Sequence, residues 1–178
     1  MSRIPLINSA DTTADRKTIL SEIHSAFGTT PNMFKAVANS PAALKSMWGS
    51  FGALGSGVIS AKLGEQIAVA IANRNSCEYC LAAHTALGRK AGATSQEMTS
   101  AQDGLSDDPK IAAALTFALA VVEGRGQIDE SAVQALRTAG YSDEEIVEIL
   151  AHVGLNLFTN YVNVAFAVPV DFPAVKLR

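Results

Sequence analysis

Apolar residues recur along the chain at spacings of three and four, the period of a helix face, and strand-like alternation does not recur. Ile19, Ile23 and Phe27 form such a stripe over about Ala14 to Phe27, which Gly28 ends. "TPNMFKAVANSP" starts a short helix near Pro31. "SPAALKSMWGSFGALGSG" repeats that grammar, with Ser40 as the cap and Pro41 in the first turn. Ser60 caps a helix through "AKLGEQIAVAIANR"; Ser76 caps the next, which runs to about Ala91 and stops at a left-handed Gly92. Thr94 and Glu97 have capping-box spacing, and Asp108-Pro109 opens an apolar helix to Glu123. Asp129 leads a helix ending at Gly140, and Ser142 with Glu145 forms a second capping box before a long helix from Asp143 to about Phe166. The closing "VPVDFPAVKLR" holds two prolines and predicts a non-helical tail. The expected fold is all-α, with eight or nine helices in a single domain over residues 1–178.

Hydrophobic residues make up 48% of the chain and charged residues 17%, more apolar than a small monomer needs to cover its surface. The excess predicts a homo-oligomer. Net charge is −3 with no Lys/Arg cluster, which argues against a nucleic-acid partner. The apolar run "IAAALTFALAVV", Ile111 to Val122, is shorter than the roughly 20 residues that span a bilayer. "MSRIPLINSADTTADRK" lacks the apolar stretch of a signal peptide, so the expected location is the cytoplasm, away from the membrane.

In that compartment a cysteine pair points to catalysis or metal binding rather than to a structural staple. Both cysteines lie in "NSCEYCLAAH". On a helix capped by Ser76, Cys77 is the first residue, Cys80 the fourth, and His84 follows four later, so all three share one face. The helix start favours a thiolate at Cys77, and His84 can take a proton from Cys80. The preceding helix folds back near Asn75, and a rise of about 1.5 Å per residue sets Glu65 level with His84. A carboxylate there would orient His84. Three readings stay open at this point: small buried core residues, a zinc site made with His84 and Glu65, and a redox dithiol. Three ligands from one helical face suit a zinc tetrahedron poorly.

Glu65, Cys77, Cys80 and His84 stand in the pattern Glu-x11-Cys-x2-Cys-x3-His. This resembles the alkylhydroperoxidase D-like (AhpD-like) branch of the carboxymuconolactone decarboxylase superfamily, in its peroxidase-related subgroup. The likeness is strongest over a core at about residues 46–92; the long final helix with "TNYVN" and the "VPVDFP" tail share it. The resemblance implies a compact AhpD-like fold with a catalytic helical hairpin and a C-terminal helical half at about 108–168. It implies a thiol peroxidase acting on organic hydroperoxides, with Cys80 peroxidatic and Cys77 resolving, the two closing as a redox-active disulfide. His84 and Glu65 would form the proton relay. A dithiol donor, a lipoyl-bearing protein in the best-known members, would reduce the pair. No metal or organic cofactor is implied, and family members form trimers and hexamers. The chain departs from the best-characterised peroxidase at Tyr79, where that enzyme carries a second histidine; with a pKa near 10, a tyrosine is a poor base. Two other activities compete with peroxide turnover: thiol redox or sensing through the CxxC pair, and the lyase chemistry of the decarboxylase branch, against which the CxxC pair counts.

"SAKLGEQIAVAIANRNSCEYCLAAH" and "YSDEEIVEILAHVGLNLFTNYVN" echo each other, aligning Glu65 with Glu145 and Cys80 with Asn160, as two related halves would. His24 reads as a surface or packing residue and His152 as a hydrogen-bonded core residue. Asn156, Asn160 and Asn163 share one helical face, fit for capping buried carbonyls, for subunit contacts or for a substrate pocket. Met33, Phe34, Met47, Trp48 and Phe51 read as core or interface packing.

Overall fold

A computed structural model describes residues 1–178, with Ala14 described by its backbone alone. Among the described residues the chain forms nine α-helices and no strand: α1 Ala14–Phe27, α2 Asn32–Val37, α3 Pro41–Gly55, α4 Ala61–Arg74, α5 Glu78–Lys90, α6 Ser95–Gln102, α7 Pro109–Gly124, α8 Glu130–Thr138 and α9 Asp143–Ala165. A single 3-10 turn, Ser9–Asp11, precedes them and is absent from the sequence expectation. The helix starts follow from capping chemistry. The Ser40 and Ser60 hydroxyls accept the N–H groups of Ala43 and Leu63, and Asp108 takes those of Lys110 and Ile111. Both capping boxes form, Thr94 with Glu97 and Ser142 with Glu145. The Glu145 carboxylate serves this box and Lys110, so it is no counterpart of Glu65 in function.

α4 is the central helix and packs against α5, α6, α7 and α9. From Leu63 to Ala72 every residue is buried except Glu65, which explains why a charge there stands out in the sequence. Small residues at Gly64, Ala68, Ala70 and Ala72 admit close neighbours, while Ile67 and Ile71 fill the core with no exposed surface. Burial of each isoleucine contributes about 1.5–3 kcal/mol. A second packing centre joins α1, α2 and α3. The Phe34 ring meets those of Phe27, Trp48 and Phe51 at centroid distances of 5.9, 5.8 and 5.6 Å.

α9 crosses both centres with one buried face, and its outer face leaves Val147, Leu150, Phe158, Tyr161 and Val164 exposed. No helix among the described residues is long and apolar enough to cross a membrane. The tail after α9 is non-helical, as its prolines require, and is tied down: Asn32 N–H donates to Asp171 Oδ2 at 2.8 Å, and Gln102 Nε2 to the Lys176 carbonyl at 2.8 Å.

Candidate functional site

The turn from α4 to α5 sets the site. Ser76 adopts φ +52°, so its N–H reaches the Asn73 carbonyl at 3.1 Å and the Cys77 N–H reaches the Ala72 carbonyl at 2.9 Å. This is a Schellman closure, in which one left-handed residue ends a helix and reverses the chain. Ser76 therefore does not cap α5, contrary to the sequence expectation: it is needed to close α4. The cap is Cys77 itself, whose Sγ accepts the Cys80 N–H at 3.2 Å in the place a serine oxygen takes. Both cysteines shift by one position, Cys77 to the cap and Cys80 to the third helical residue. They are joined as a disulfide with Cα atoms 5.3 Å apart, and the two residues are 1% and 2% exposed.

Glu65 and His84 meet across the hairpin, Glu65 Oε2 lying 2.7 Å from His84 Nδ1. Gly88, one turn further along α5, permits this approach, because a Cβ there would stand 3.3 Å from Glu65 Cβ and strike the Met98 thioether. A carboxylate can only accept, so Nδ1 carries the proton and Nε2 is left to take or give one. His84 and Cys80 line a common cavity of about 30 Å³, walled by Phe34, Phe51, Tyr79 and Phe172. That is room for one water-sized group beside the sulfur.

Tyr79 is buried, and its Oη accepts the Met33 N–H at 3.2 Å while its ring meets Phe172 edge to face at 5.7 Å. Burial pushes the phenol far above its ordinary pKa; the Met33 bond works against this and the nearby Asp171 carboxylate adds to it. Tyr79 is thus a neutral wall of the cavity, pinned to α2, and no proton acceptor.

The three asparagines separate in the structure. Asn163 Nδ2 donates to Cys80 Sγ at 3.2 Å in the buried interior, a contact the sequence did not reveal. Asn160 Oδ1 accepts from Asn75 Nδ2 at 3.1 Å and holds the α4–α5 turn against α9. Asn156 Nδ2 donates back to the His152 carbonyl of its own helix at 2.9 Å. A polar residue at helical spacing in an apolar helix is the signal that marks Asn163; its partner depends on how α9 lies across α5. His24 is exposed, in keeping with a surface role. His152 is partly buried, but its Nε2 has no hydrogen-bond partner among the described residues, so a satisfied core histidine does not describe it.

Residues 41–123 match the carboxymuconolactone decarboxylase family, a span that holds all four residues of the Glu-Cys-Cys-His pattern. No curated protein matches the sequence. Among solved structures, the AhpD core of a peroxidase-related protein from Ralstonia eutropha superposes with a TM-score of 0.87 at 26% identity, covering 96% of this chain and 92% of that one. A peroxidase-related protein from Silicibacter sp. gives 0.82 at 25% identity, covering 94% and 91%. A cysteine-to-alanine variant of a debrominase, in complex with 2,3,4-tribromopyrrole, shares the fold at 20% identity, with a TM-score of 0.81 and coverage of 96% and 94%. Residues 41–123 thus form a carboxymuconolactone decarboxylase family domain within a chain of AhpD-like fold, with its CxxC pair closed as a disulfide.

Proposed function

We propose that the protein is a thiol peroxidase that reduces organic hydroperoxides through Cys80 and Cys77. The observation that carries this reading is the surroundings of the Cys80 sulfur: a disulfide partner three residues away, an amide N–H from Asn163, and the Glu65–His84 pair lining the same cavity. The Asn163 N–H and the first-turn amides favour negative charge on Cys80 in the reduced protein. The Cys80 thiolate attacks the terminal peroxide oxygen; the S–O bond forms, the O–O bond breaks, and the alkoxide leaves with a proton from His84. Sulfur is oxidised by two electrons and the peroxide is reduced to an alcohol. The Cys77 thiolate then attacks the sulfenic sulfur, the disulfide forms, and hydroxide leaves as water after gaining a proton. A dithiol donor returns two electrons and two protons.

Reduced protein treated with one equivalent of cumene hydroperoxide tests the scheme. The expected products are one alcohol and the loss of both thiols; the Cys77→Ser variant should stop at a sulfenic acid on Cys80, trapped by dimedone. Unchanged thiols would reject the proposal.

A second reading, disulfide exchange or redox sensing with little peroxide turnover, draws support from Tyr79, which offers no base where the best-characterised peroxidase has one. Retention of both thiols with cumene hydroperoxide, together with fast exchange with dithiothreitol, would favour it. We also read the exposed apolar stripe of α9 as the contact between copies of this chain, on the strength of its five large apolar residues and the 48% hydrophobic composition. A monomer in light scattering at micromolar concentration would contradict that assembly.

A further inference from the structure

Glu65 and His84 border a second cavity, of about 140 Å³, which neither sulfur lines. α3 contributes Phe51 and Leu54 to its wall, and α9 contributes Leu155 and His152. The His152 ring lies against α4 at Gly64, where a Cβ would come within 3.1 Å of its Cε1, so the glycine beside Glu65 makes room for the imidazole. Its Nε2 is buried and has no hydrogen-bond partner among the described residues. A buried nitrogen is costly to leave unpartnered unless water meets it, and this cavity, where Glu65, His84, His152 and Asn156 interrupt an otherwise apolar wall, is large enough to hold several waters.

The charged and titratable groups acting on His152 are Glu148 on its own helix, Glu65 on α4 and His84 on α5. Glu148 is committed elsewhere, accepting the N–H groups of Val58 and Ile59 at 2.9 and 2.8 Å. The α3 residues named in the cavity wall carry no charge. Burial is the largest influence on His152 and disfavours its charged form; Glu148 and Glu65 pull the other way, and His84 repels it. His84 and His152 therefore face one cavity from two sides, with room for water between them.

We infer that His152 is the solvent-side station of the site's proton path, exchanging protons through cavity water with the Glu65–His84 pair. This rests on the reading of His84 as the carrier that protonates the leaving oxygen. His152 touches no reacting atom and acts through His84, as a positioning residue for the proton. Each transfer breaks one N–H or O–H bond and forms another; no electrons move, and bulk water restores the His152 proton.

The test uses the full chain and reads reduction of its disulfide by dithiothreitol across about pH 5 to about pH 8, where histidines titrate. That reaction needs no peroxide, so its outcome is separate from that of the peroxidase proposal. His152→Gln should lower the rate on the order of tenfold and remove one ionisation from the profile. His152→Ala should lower it similarly and recover with added imidazole, which fits the enlarged cavity. If either variant folds poorly, nitrogen-15 signals of the native histidines give the answer: His84→Gln should shift the His152 titration. A natively stable His152→Gln protein with an unchanged profile, an absence of imidazole rescue, or histidines that titrate independently would each overturn the inference.

Discussion

Replacing Asn163 by leucine removes one hydrogen bond from the sulfur that the proposed chemistry depends on. Asn163 Nδ2 lies 3.2 Å from Cys80 Sγ, both residues are buried, and the asparagine Oδ1 has no partner among the described residues. Leucine keeps the same branching with two bulkier methyl groups and leaves no orphan donor or acceptor, so the fold should survive at an overpacking cost of about 1–3 kcal/mol. In the reduced protein the N–H stabilises the thiolate over the thiol, and a bond to a charged group is worth about 1.5–3 kcal/mol. At about 1.4 kcal/mol per unit, the Cys80 pKa should rise by about one to two units in Asn163→Leu. The sign is fixed: loss of a group that favours the charged form raises the pKa of an acid. Thiolate absorbance against pH in a Cys77→Ser background, where Cys80 is the only thiol, gives the value directly. Asn163→Asp should raise it further, because a carboxylate repels the thiolate. An unchanged pKa in Asn163→Leu would refute the claim that this amide tunes the sulfur.

Other consequences follow from the same geometry. Glu65→Gln removes the carboxylate that holds His84 Nδ1, and should raise the Cys80 pKa measured in the same titration; no change would separate the pair from the thiol. Tyr79→Phe should leave the Cys80 pKa unaltered, because the phenol stays neutral, yet cost about 1–3 kcal/mol in denaturant unfolding as the buried Met33 N–H loses its acceptor. Ser76→Val should destabilise by about 1–3 kcal/mol through its positive φ, whereas Ser76→Gly should be neutral or stabilising, as thermal melting will show. The pKa of His152 is lowered in the folded protein, chiefly by burial, so below the unfolded value near 6.5 the unfolded chain binds more protons. Stability should therefore fall on acidification through that window, and His152→Gln should flatten the fall in urea titrations.

Much of the fold was legible because caps and stops are local chemistry. Ser40, Ser60, Thr94, Asp108 and Ser142 start helices where their side chains predict, and Gly28 and Gly92 sit in the left-handed region. Ser76 misled because the same residue type serves two purposes: its place before Cys77 reads as a cap, but the closure of α4 leaves it in a left-handed turn. The meeting of Glu65 with His84 followed from rise per residue in an antiparallel pair, a property of two adjacent helices. Asn163 lies 83 residues from Cys80, and nothing local reports how α9 crosses α5. His152 was illegible for the same reason, since the cavity that leaves its Nε2 unpartnered is formed by four helices.

In the proposed function, Cys80 is a sulfur made reactive toward peroxide by its surroundings. Stopped-flow oxidation of the fully reduced protein by an alkyl hydroperoxide at neutral pH tests it most directly. The expected result is a second-order rate constant orders of magnitude above that of free cysteine, lost in Cys80→Ser and kept in Cys77→Ser. A rate equal to that of free cysteine would contradict it.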